Sequence, residues 1–593
     1  MDGMVKRWSF YPHDRDAIRD LERRANVPAV LAQMLLCRGL ADPEQAREFL
    51  DPKLSQLRSP DQLPGVNRAT DHISRAVADG KRIVIFGDYD ADGMCATAIL
   101  YGCLQRMGGN VGYRVPNRLN ESYGLSEDVL RKLASQGTEL VITVDCGIAN
   151  CRESQLAHEL GLELVITDHH DMLDELPTAA AIVHPRLPYH DYPFSGLCGA
   201  AVAFKLAWAL CQRASGSDKV SPRYREFLLS AVGLAALATV ADVVPLLDEN
   251  RVLVRHGLTC LHQRAPRGLS RLITETGLAK KPSLESEDLA FMLAPRLNAA
   301  GRLGQAPIGV ELLVTESDER AAVLAEYLQE LNQQRDSLER SVYLAAQKQA
   351  NEDFDPQADP ALVLAGRGWH LGVIGIVAGR LADKHHRPVV LISQDELGVK
   401  PATGSGRGAG VLNLNQAFAH CHEHLVSHGG HAAAAGLRVD DKSLEAFRTD
   451  FCEYAADHIA EEDRIATIRI DAETPLSGLT LNIVSQIERL APFGQGNPRP
   501  TLCASGVSLV GSPRRMGGGD RHLSLKIKQH QVTLRAVAFG RGDWADPLSQ
   551  VNGPLDIAFR PVINTFAGRR SVELHLVDWR PAQIAASLPA KSS

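Results

Sequence analysis

Short β-branched runs alternate with helix-like stretches between Lys81 and His170, and this alternation limits the possible folds more than any other feature of the chain. The runs read IVIFG, VGYRV, LVITV and LVIT, and a stretch long enough for a helix separates each from the next. Strands that alternate with helices of about 10–15 residues form right-handed βαβ units. The sequence therefore predicts an α/β fold whose main sheet is doubly wound and mostly parallel, with helices covering both faces.

Composition excludes several classes of protein. The 593 residues are 45% hydrophobic and 23% charged, as in folded globular chains. No uninterrupted apolar stretch approaches the ~20 residues of a membrane span, and the first residues lack the apolar core of a signal peptide. Eleven scattered cysteines are typical of reduced thiols in a cytosol. We therefore expect a cytoplasmic protein with no membrane association.

Three further regions follow the first α/β pattern. Residues 316–350 carry a helical leucine stripe that Arg335 interrupts; we favour a connecting helix, and a monomer, over a dimerising coiled coil. A second, smaller α/β pattern comes next, and short alternating strands with Gly-rich turns then indicate a β-barrel. The predicted regions are a helical lead at 1–75, the main α/β domain at 76–315, the connecting helix at 316–350, the second α/β domain at 351–460 and the barrel at 466–582.

Acids and histidines follow the ends of these predicted strands. IVIFG leads into DYDADG, LVITV into Asp145, LVIT into Asp168-His169-His170, and the helical run LATVA into Asp242. Ligands of open parallel sheets bind at the carboxyl ends of the strands, so we expect these side chains to converge. A single Asp there is usually a helix N-cap, but four such ends are better explained by divalent cations that relieve carboxylate repulsion. Carboxylates mixed with imidazole suit Mn²⁺ or Mg²⁺.

The motifs DYDADG (88–93), VDCG (144–147), DHH (168–170) and ADVVPL (241–246) resemble those of the DHH phosphoesterase superfamily. Within it, the chain is most similar to bacterial exonucleases that degrade single-stranded DNA in the 5′→3′ direction, over nearly its whole length. The resemblance implies a DHH domain, a DHH-associated domain and an OB-like barrel. It implies hydrolysis to 5′-mononucleotides with two Mn²⁺ or Mg²⁺ ions, in DNA recombination and repair. It also implies two partners, a single-strand-binding protein and a RecQ-type helicase.

The resemblance also assigns residues. Asp90 and Asp145 would hold one ion with Asp88 nearby, while Asp145 bridges to a second ion. His184 is a candidate only for supporting the ligands. The ligands expected for the second ion are Asp92, Asp145, His169 and Asp242. The side chains expected to take part in the chemistry are Asp145, His169 and His170, the last at the scissile phosphate or leaving group.

Arginines beside small residues are candidates for binding the phosphates of the strand, because guanidinium groups bind phosphate oxygens bidentately. Taken alone, the run APRLNAAGRLG is equally compatible with a surface turn, and most runs like TGSGRG are plain turns. The resemblance favours a phosphate-binding role, with a pocket for the 5′-terminal phosphate in the second α/β domain. The residues expected to contact phosphate or DNA are Arg296, Asn298, Arg302, Ser405, Arg407, Gly408 and His431.

The barrel region carries a local charge that the whole chain hides. The chain has a net charge of -7, which argues against a nucleic-acid partner. Residues 500–580, however, contain 11 Lys and Arg against six Asp and Glu, a local charge of +5. A basic OB-like barrel is suited to the phosphates of a single strand. The barrel residues expected to bind DNA are Arg514, Arg515, Lys526 and Lys528.

Two other functions compete with this interpretation. A DHH phosphoesterase for small substrates, such as an oligoribonuclease or a pyrophosphatase, would have two α/β domains and no barrel. An inactive DNA-binding scaffold of a replication-helicase assembly would have lost motif acids, and all of them are present here. We therefore expect an active nuclease.

Overall fold

The computed structural model describes residues 6–121, 124–356, 358–566 and 568–582. The chain divides into two compact units. The barrel unit contains the residues up to Lys53, Thr467–Phe493 and the chain from Asn497 onward. The α/β unit contains Leu54–Ala466 and Gly494–Gly496. The segment 1–75 is thus shared between the two units.

The first elements are mostly helical, as the sequence predicts. Asp14 and Asp42 accept backbone N–H bonds at the starts of two helices, which explains why those helices begin there. The sequence analysis did not anticipate a strand in this region. The elements are β1 (Arg7–Phe10), α1 (Arg15–Ala25), α2 (Ala29–Leu36), α3 (Pro43–Leu50) and α4 (Val66–Ala78).

The first sheet has five parallel strands in the order β3-β2-β4-β5-β6. Its central strands are buried along most of their length because helices cover both faces. The predicted doubly wound α/β fold is confirmed. The elements are β2 (Arg82–Gly87), α5 (Ala91–Arg106), β3 (Asn110–Arg114), α6 (Glu127–Ser135), β4 (Leu140–Val144), α7 (Cys151–Glu159), β5 (Glu163–Thr167) and β6 (Ala181–Val183).

A helical layer packs against this sheet. Its helix α9 is apolar and long enough to pass a length-and-composition test for a membrane span, but 56% of its most apolar window is buried in the protein. Core helices of soluble proteins pass the same test, so α9 is weak evidence for a membrane. The elements are α8 (Gly199–Ser215), α9 (Pro222–Ala241), α10 (Asp248–Arg264), α11 (Arg267–Glu275), α12 (Ser286–Asp288), a π-helical turn (Leu289–Leu293), α13 (Ala294–Arg302) and α14 (Ala306–Val314).

The long helix α15 (Asp318–Asp353) connects the two α/β domains. Leu324, Leu328 and Leu331 pack into the core of the first domain. Leu338 and Val342 contribute to a separate core with the second domain. The predicted connecting helix is therefore confirmed, because its apolar stripe is occupied by both domains.

The second domain is a five-stranded mixed sheet in the order β10-β11-β9-β8-β7. Only β7 and β8 are parallel, and the remaining pairs are antiparallel. The elements are β7 (Leu362–Arg367), α16 (Leu371–His385), β8 (Val389–Gln394), β9 (Ala402–Arg407), α17 (Leu414–His420), β10 (Leu425–Gly430), β11 (Ala434–Val439) and α18 (Leu444–His458).

The C-terminal strands close into a barrel, as predicted. Five strands form a ring in the order β14-β18-β19-β17-β16, which the pairing of β16 with β14 closes. This closed five-strand ring is typical of an OB-fold. Strand β12 pairs in parallel with β1 of the same unit. The elements are β12 (Thr467–Ile470), β13 (Ala472–Glu473), α19 (Leu481–Glu488), β14 (Leu502–Leu509), β15 (Arg514–Met516), β16 (His522–Gln529), β17 (Val532–Ala538), α20 (Ala545–Gln550), β18 (Leu555–Phe566) and β19 (Arg569–Pro581).

All eleven cysteines lie in the described residues, and all are free thiols. Most are buried, and burial raises the pKa of the thiols of Cys95, Cys146 and Cys198 well above the ordinary value. Protonated, buried thiols are unreactive, so these cysteines act as small core residues.

Candidate active site

The register of the first sheet brings the motif acids together. Gly87, Val144 and Thr167 are aligned across β2, β4 and β5 as the last residue of each strand. The next residue in each case is an aspartate: Asp88, Asp145 and Asp168, all of them buried. One edge of the sheet therefore carries three carboxyl groups, as expected for a parallel sheet.

Three groups of side chains at this edge have the spacing of metal ligands, and one of them, Asp145 with His169 and His170, overlaps the other two. In the first, carboxylate oxygens of Asp88, Asp90 and Asp145 lie within 4.8 Å of one another. In the second, the same limit holds for Asp92, His169 and Asp242. His169 Nε2 is 3.1 Å from Asp145 Oδ1 and 3.7 Å from Asp242 Oδ2. Asp145 thus lies between the two groups.

The start of α5 fixes the positions of two of these acids. Asp90 is the N-cap of α5, and its Oδ1 accepts the N–H groups of Asp92 and Gly93. Both oxygens of Asp92 accept N–H groups at the start of α8, from Gly199 and Ala200, each at 2.7 Å. Anionic groups are stabilised at helix N-termini, so two helices hold these carboxylates in place.

The acids have strongly shifted pKa values in the absence of cations. Burial, and then the charges of neighbouring carboxylates, raise the pKa of Asp88 and Asp145 well above the ordinary value. The same causes raise the pKa of Asp92 to about 6 and that of Asp242 to about 9. Burial lowers the pKa of His169 to about 3, so its imidazole is neutral and can coordinate a metal.

The donor set fits divalent cations. Among the described residues, Asp88 Oδ1 and His169 Nε2 are buried without a hydrogen-bond partner. Such orphaned acceptors are costly unless an ion or a proton satisfies them. Oxygen donors with one imidazole match Mn²⁺ or Mg²⁺ better than the thiolate-rich sites of structural zinc.

Asp168 orients the histidine pair and lies outside both groups of ligands. Its Oδ1 accepts the N–H groups of His169 and His170 and lies 2.7 Å from His170 Nδ1. Burial opposes charge on His170, but the bond to Asp168 outweighs it and raises the pKa of His170 to about 9. The contact with Asp168 therefore favours the protonated imidazole of His170.

The segment after β6 makes hydrogen bonds to the backbone of His169 and His170. His184 is fully buried, and its Nε2 is 2.9 Å from the His170 carbonyl oxygen. Arg186 donates to the His169 carbonyl and to Asp171, each at 2.6 Å. Asp171 and Arg186 were not predicted from the sequence. Arg186 closely follows the end of β6, so the rule that selected the acids could also have selected it, whereas His184 was already a candidate for supporting the ligands.

Two of the three residues predicted in the run APRLNAAGR, Arg296 and Asn298, make hydrogen bonds within the protein. Arg296 is engaged within the protein, with Gln329 at 2.7 Å and with the Met292 carbonyl. Asn298 accepts the Ala91 N–H at 2.8 Å and so supports the start of α5. In the structure, both side chains therefore have structural partners.

Arg302 belongs to a cluster of half-buried cationic groups. It donates to the Gly372 carbonyl at 3.1 Å. Burial, followed by the charges of Arg118, Arg335 and Arg407, lowers its pKa to about 10. Arg118, which was not predicted, lies over the Tyr89 ring at 4.9 Å. Several guanidinium groups of like charge at one place are suited to an anion.

The second domain contributes further predicted residues on β9 and β10. Ser405 and Arg407 lie together, with Arg407 Nη1 3.1 Å from Ser405 Oγ. The N–H of Gly408 is donated to the Ala433 carbonyl, so it is not directed at a ligand. His431 lies beside the histidine pair, with its ring nearly parallel to that of His170 and the two ring centroids 6.3 Å apart.

In the barrel unit, Arg514, Lys526 and Lys528 are exposed. Arg515 is engaged with Asp546 at 2.8 Å. Lys526 and Lys528 project outward from β16 because the alternate residues Leu523, Leu525 and Ile527 fill the barrel core. Phe539 and Phe566 are exposed, whereas Trp544 packs against the core.

Comparisons with known proteins agree with this geometry. The model of the DHH family N-terminal domain matches residues 82–232, the DHHA1 domain matches 358–457 and the RecJ OB domain matches 470–578. The single-stranded-DNA-specific exonuclease RecJ of Dickeya dadantii is 34% identical, over 93% of this chain and 95% of that protein. The chain belongs to the RecJ family. It is therefore an exonuclease, a hydrolase of the DHH type.

Other RecJ proteins extend the comparison. RecJ of Bacillus subtilis is 34% identical over 96% of this chain and 70% of that protein. A crystal structure of RecJ from Thermus thermophilus in complex with Mn²⁺ superposes with a TM-score of 0.81 at 31% identity, covering 97% of this chain and 80% of that one. A second structure of that protein contains Mg²⁺, with a TM-score of 0.76. The resemblance and the fold class inferred from the sequence are thus confirmed, and the barrel argues against a small-substrate enzyme.

Proposed function

We propose that this protein is a metal-dependent 5′→3′ exonuclease that hydrolyses single-stranded DNA to 5′-mononucleotides during recombination and repair. The observation that carries the proposal is the position of Asp145, which lies between two groups of metal-ligating side chains at one edge of the sheet. RecJ relatives named as specific for single-stranded DNA, and RecJ structures with Mn²⁺ and Mg²⁺, support it.

Two Mn²⁺ or Mg²⁺ ions would be held by the two groups. Asp88, Asp90 and Asp145 would hold one, and Asp92, His169 and Asp242 would hold the other together with Asp145. Two metal ions at this spacing activate water and stabilise charge on a phosphate undergoing in-line attack. The protein residues hold the carboxylates in place through two helix N-termini, so little reorganisation is needed during the reaction.

His170 is the residue we assign to the scissile phosphate. Asp168 holds its ring through Nδ1. From that position His170 would donate a hydrogen bond to a phosphate oxygen or to the leaving oxygen. His169 would act as a metal ligand, and Asp145 as the bridging ligand.

Binding of the strand would begin at its 5′ end. Arg302, Arg407 and Ser405, joined by Arg118, would receive the terminal phosphate, and His431 would face the adjoining nucleotide. Arg296 is held by Gln329, and Asn298 would support the start of α5 through its contact with Ala91. Gly408 would contribute to this pocket only as part of the backbone that follows β9, because its N–H is donated to the Ala433 carbonyl. The outward cations of the barrel, Arg514, Arg515, Lys526 and Lys528, would bind phosphates of the strand.

We assign the chain five functional regions: 1–75, the catalytic domain at 76–315, the connecting helix at 316–350, the DHH-associated domain at 351–460 and the barrel at 466–582. We further propose that the protein acts as a monomer in the cytoplasm, with a single-strand-binding protein and a RecQ-type helicase as partners. The helicase would supply the unpaired strand that the enzyme consumes.

The function is tested by digestion of a 5′-labelled single strand with Mn²⁺ or Mg²⁺. We expect labelled mononucleotide as the first product and no digestion of a blunt duplex. Asp145→Ala should abolish cleavage while leaving binding of the strand largely intact. Absence of mononucleotide release, or equal digestion of the duplex, would reject the proposal.

A further inference from the structure

A series of polar contacts connects the second α/β domain to the histidine pair. His431, which follows β10, lies with its Nδ1 3.0 Å from Asp171 Oδ2. The other oxygen of Asp171 accepts from Arg186 at 2.6 Å. Arg186 also donates to the carbonyl oxygen of His169, again at 2.6 Å. Three contacts therefore lead from one domain to the backbone of a metal-ligating residue in the other.

The same segment holds the next peptide as well. His184 Nε2 lies 2.9 Å from the carbonyl oxygen of His170, and its Nδ1 accepts the N–H of Arg186. Both carbonyl groups of the histidine pair are thus fixed from residues 184–186. A shift of Arg186 would move the peptide that places His169 Nε2 3.1 Å from Asp145.

The contact between the domains is exposed, as is the Asp171–Arg186 pair that follows it. The side chains of His431 and Asp171 are 56% and 64% exposed. Exposed ion pairs contribute about 0–1 kcal/mol, so this contact can break and form again at little cost. His184, in comparison, is fully buried. The exposed His431–Asp171 contact is therefore suited to form and break reversibly, and it contributes little to stability.

We propose that Asp171 is a positioning residue that couples contact between the two α/β domains to the placement of the histidine pair. With His431 against it, Asp171 holds Arg186 on the His169 carbonyl, and the pair is aligned for cleavage. When the domains separate, that restraint weakens. The inference rests on the proposed nuclease function, and it predicts an effect on the rate of cleavage rather than on binding of the strand.

A double-mutant cycle tests this coupling. The variants Asp171→Ala, His431→Ala and the double variant are compared with the wild type, at saturating Mn²⁺, on a 5′-phosphorylated single strand. We expect Asp171→Ala to lower kcat about tenfold without changing KM, because a small misplacement of a catalytic group is costly. Adding His431→Ala should lower kcat no further, since the two residues affect kcat through one contact, while any effect of His431→Ala on KM reports its proposed contact with the nucleotide.

Several measurements distinguish loss of the coupling between the domains from a general loss of stability or of metal binding. Mn²⁺ stoichiometry and Tm should be unchanged in Asp171→Ala and in the exposed variant His431→Ala. As a matched control, Glu226→Ala removes another exposed ion pair of the same unit, with Arg264, and should leave kcat unchanged. Independent, multiplying effects of the two substitutions, a change in KM alone, or wild-type kcat in Asp171→Ala would overturn the inference. A wild-type protein that releases no mononucleotide would instead reject the nuclease function itself.

Discussion

Gly199 lies so close to Asp145 that a Cβ on this glycine would be 2.4 Å from the carboxylate oxygen Oδ1. Gly199 is also the first residue of α8, and its N–H donates to Asp92 Oδ2 at 2.7 Å. One glycine therefore sets the positions of two carboxylates that belong to different groups of ligands. This close approach requires a residue without a side chain.

Gly199→Ala should displace Asp145, because the methyl group cannot be accommodated without movement of the carboxylate or of α8. We expect weaker Mn²⁺ binding and cleavage reduced by about 100-fold, measured as the rate of mononucleotide release at increasing Mn²⁺. Gly112→Ala is the matched control, since a Cβ there meets nothing within 4 Å. Wild-type Mn²⁺ affinity in Gly199→Ala would show that the close contact is unimportant.

Arg302→Ala should remove the preference for a phosphorylated 5′ end. The half-buried guanidinium, whose pKa is lowered by burial and by Arg118 and Arg407, is stabilised when an anion is present. The ratio of initial rates on strands with 5′-phosphate and with 5′-hydroxyl ends measures this preference. We expect the ratio to fall toward one, and an unchanged ratio would place the terminal phosphate elsewhere.

Charge reversal on β16 should weaken binding of the strand. Lys526→Glu and Lys528→Glu each remove an outward cation without disturbing the alternate core residues of the strand. The slope of log K against log salt should become less steep by about 0.7 for each lost phosphate contact. Lys132→Glu on the exposed face of α6 is the control and should change neither affinity nor slope. Equal affinities in all three variants would argue against DNA binding by this face.

Point substitutions test the barrel better than its removal. Leu31, Met34 and Leu35 of α2 are fully buried in one core with the barrel residues Leu523 and Ile527. Deleting the chain after residue 465 would expose this apolar surface, and a loss of activity would then have two explanations. The sequence did not indicate this shared core, because its two parts are more than 400 residues apart.

His385 should make stability depend on pH. Its ring packs on Phe354 at 5.1 Å, and burial lowers its pKa from 6.5 to about 4. The unfolded chain therefore binds the proton more readily, so the contribution to stability is complete above pH 6.5 and is lost as the pH falls toward 4. Between pH 7.5 and 5, urea unfolding should show a loss of about 2 kcal/mol that His385→Leu abolishes. An unchanged pH dependence in the variant would contradict this assignment.

The convergence of the proposed metal ligands could be predicted from the sequence because their signal is local. A buried β-branched run followed by Asp defines both the strand and the edge to which the side chain belongs, as at Asp88 and Asp145. The convergence of these residues follows from the parallel topology, which the alternation of strands and helices already indicates. Asp242, at the end of α9, was found by the same reasoning applied to a helix.

Other features depend on contacts between distant parts of the chain. The pairing of β1 with β12 joins Arg7 to Thr467, and no local pattern indicates it. Arg118 and Arg186 lie in irregular segments, where periodicity carries no information. Conversely, Gly408 and Arg296 matched phosphate-binding patterns, yet the fold uses the N–H of one and the guanidinium of the other for internal hydrogen bonds.

The role of Asp145 between two metal ions is tested most directly by counting the Mn²⁺ ions bound per chain in the wild type and in Asp145→Ala. Equilibrium dialysis of both proteins, with Tm recorded for each, gives the two stoichiometries under the same conditions. We expect two ions in the wild type and weakened binding of both in Asp145→Ala, because one carboxylate serves both groups. A single ion in the wild type, or two ions bound with unchanged affinity in Asp145→Ala, would contradict the shared-ligand arrangement.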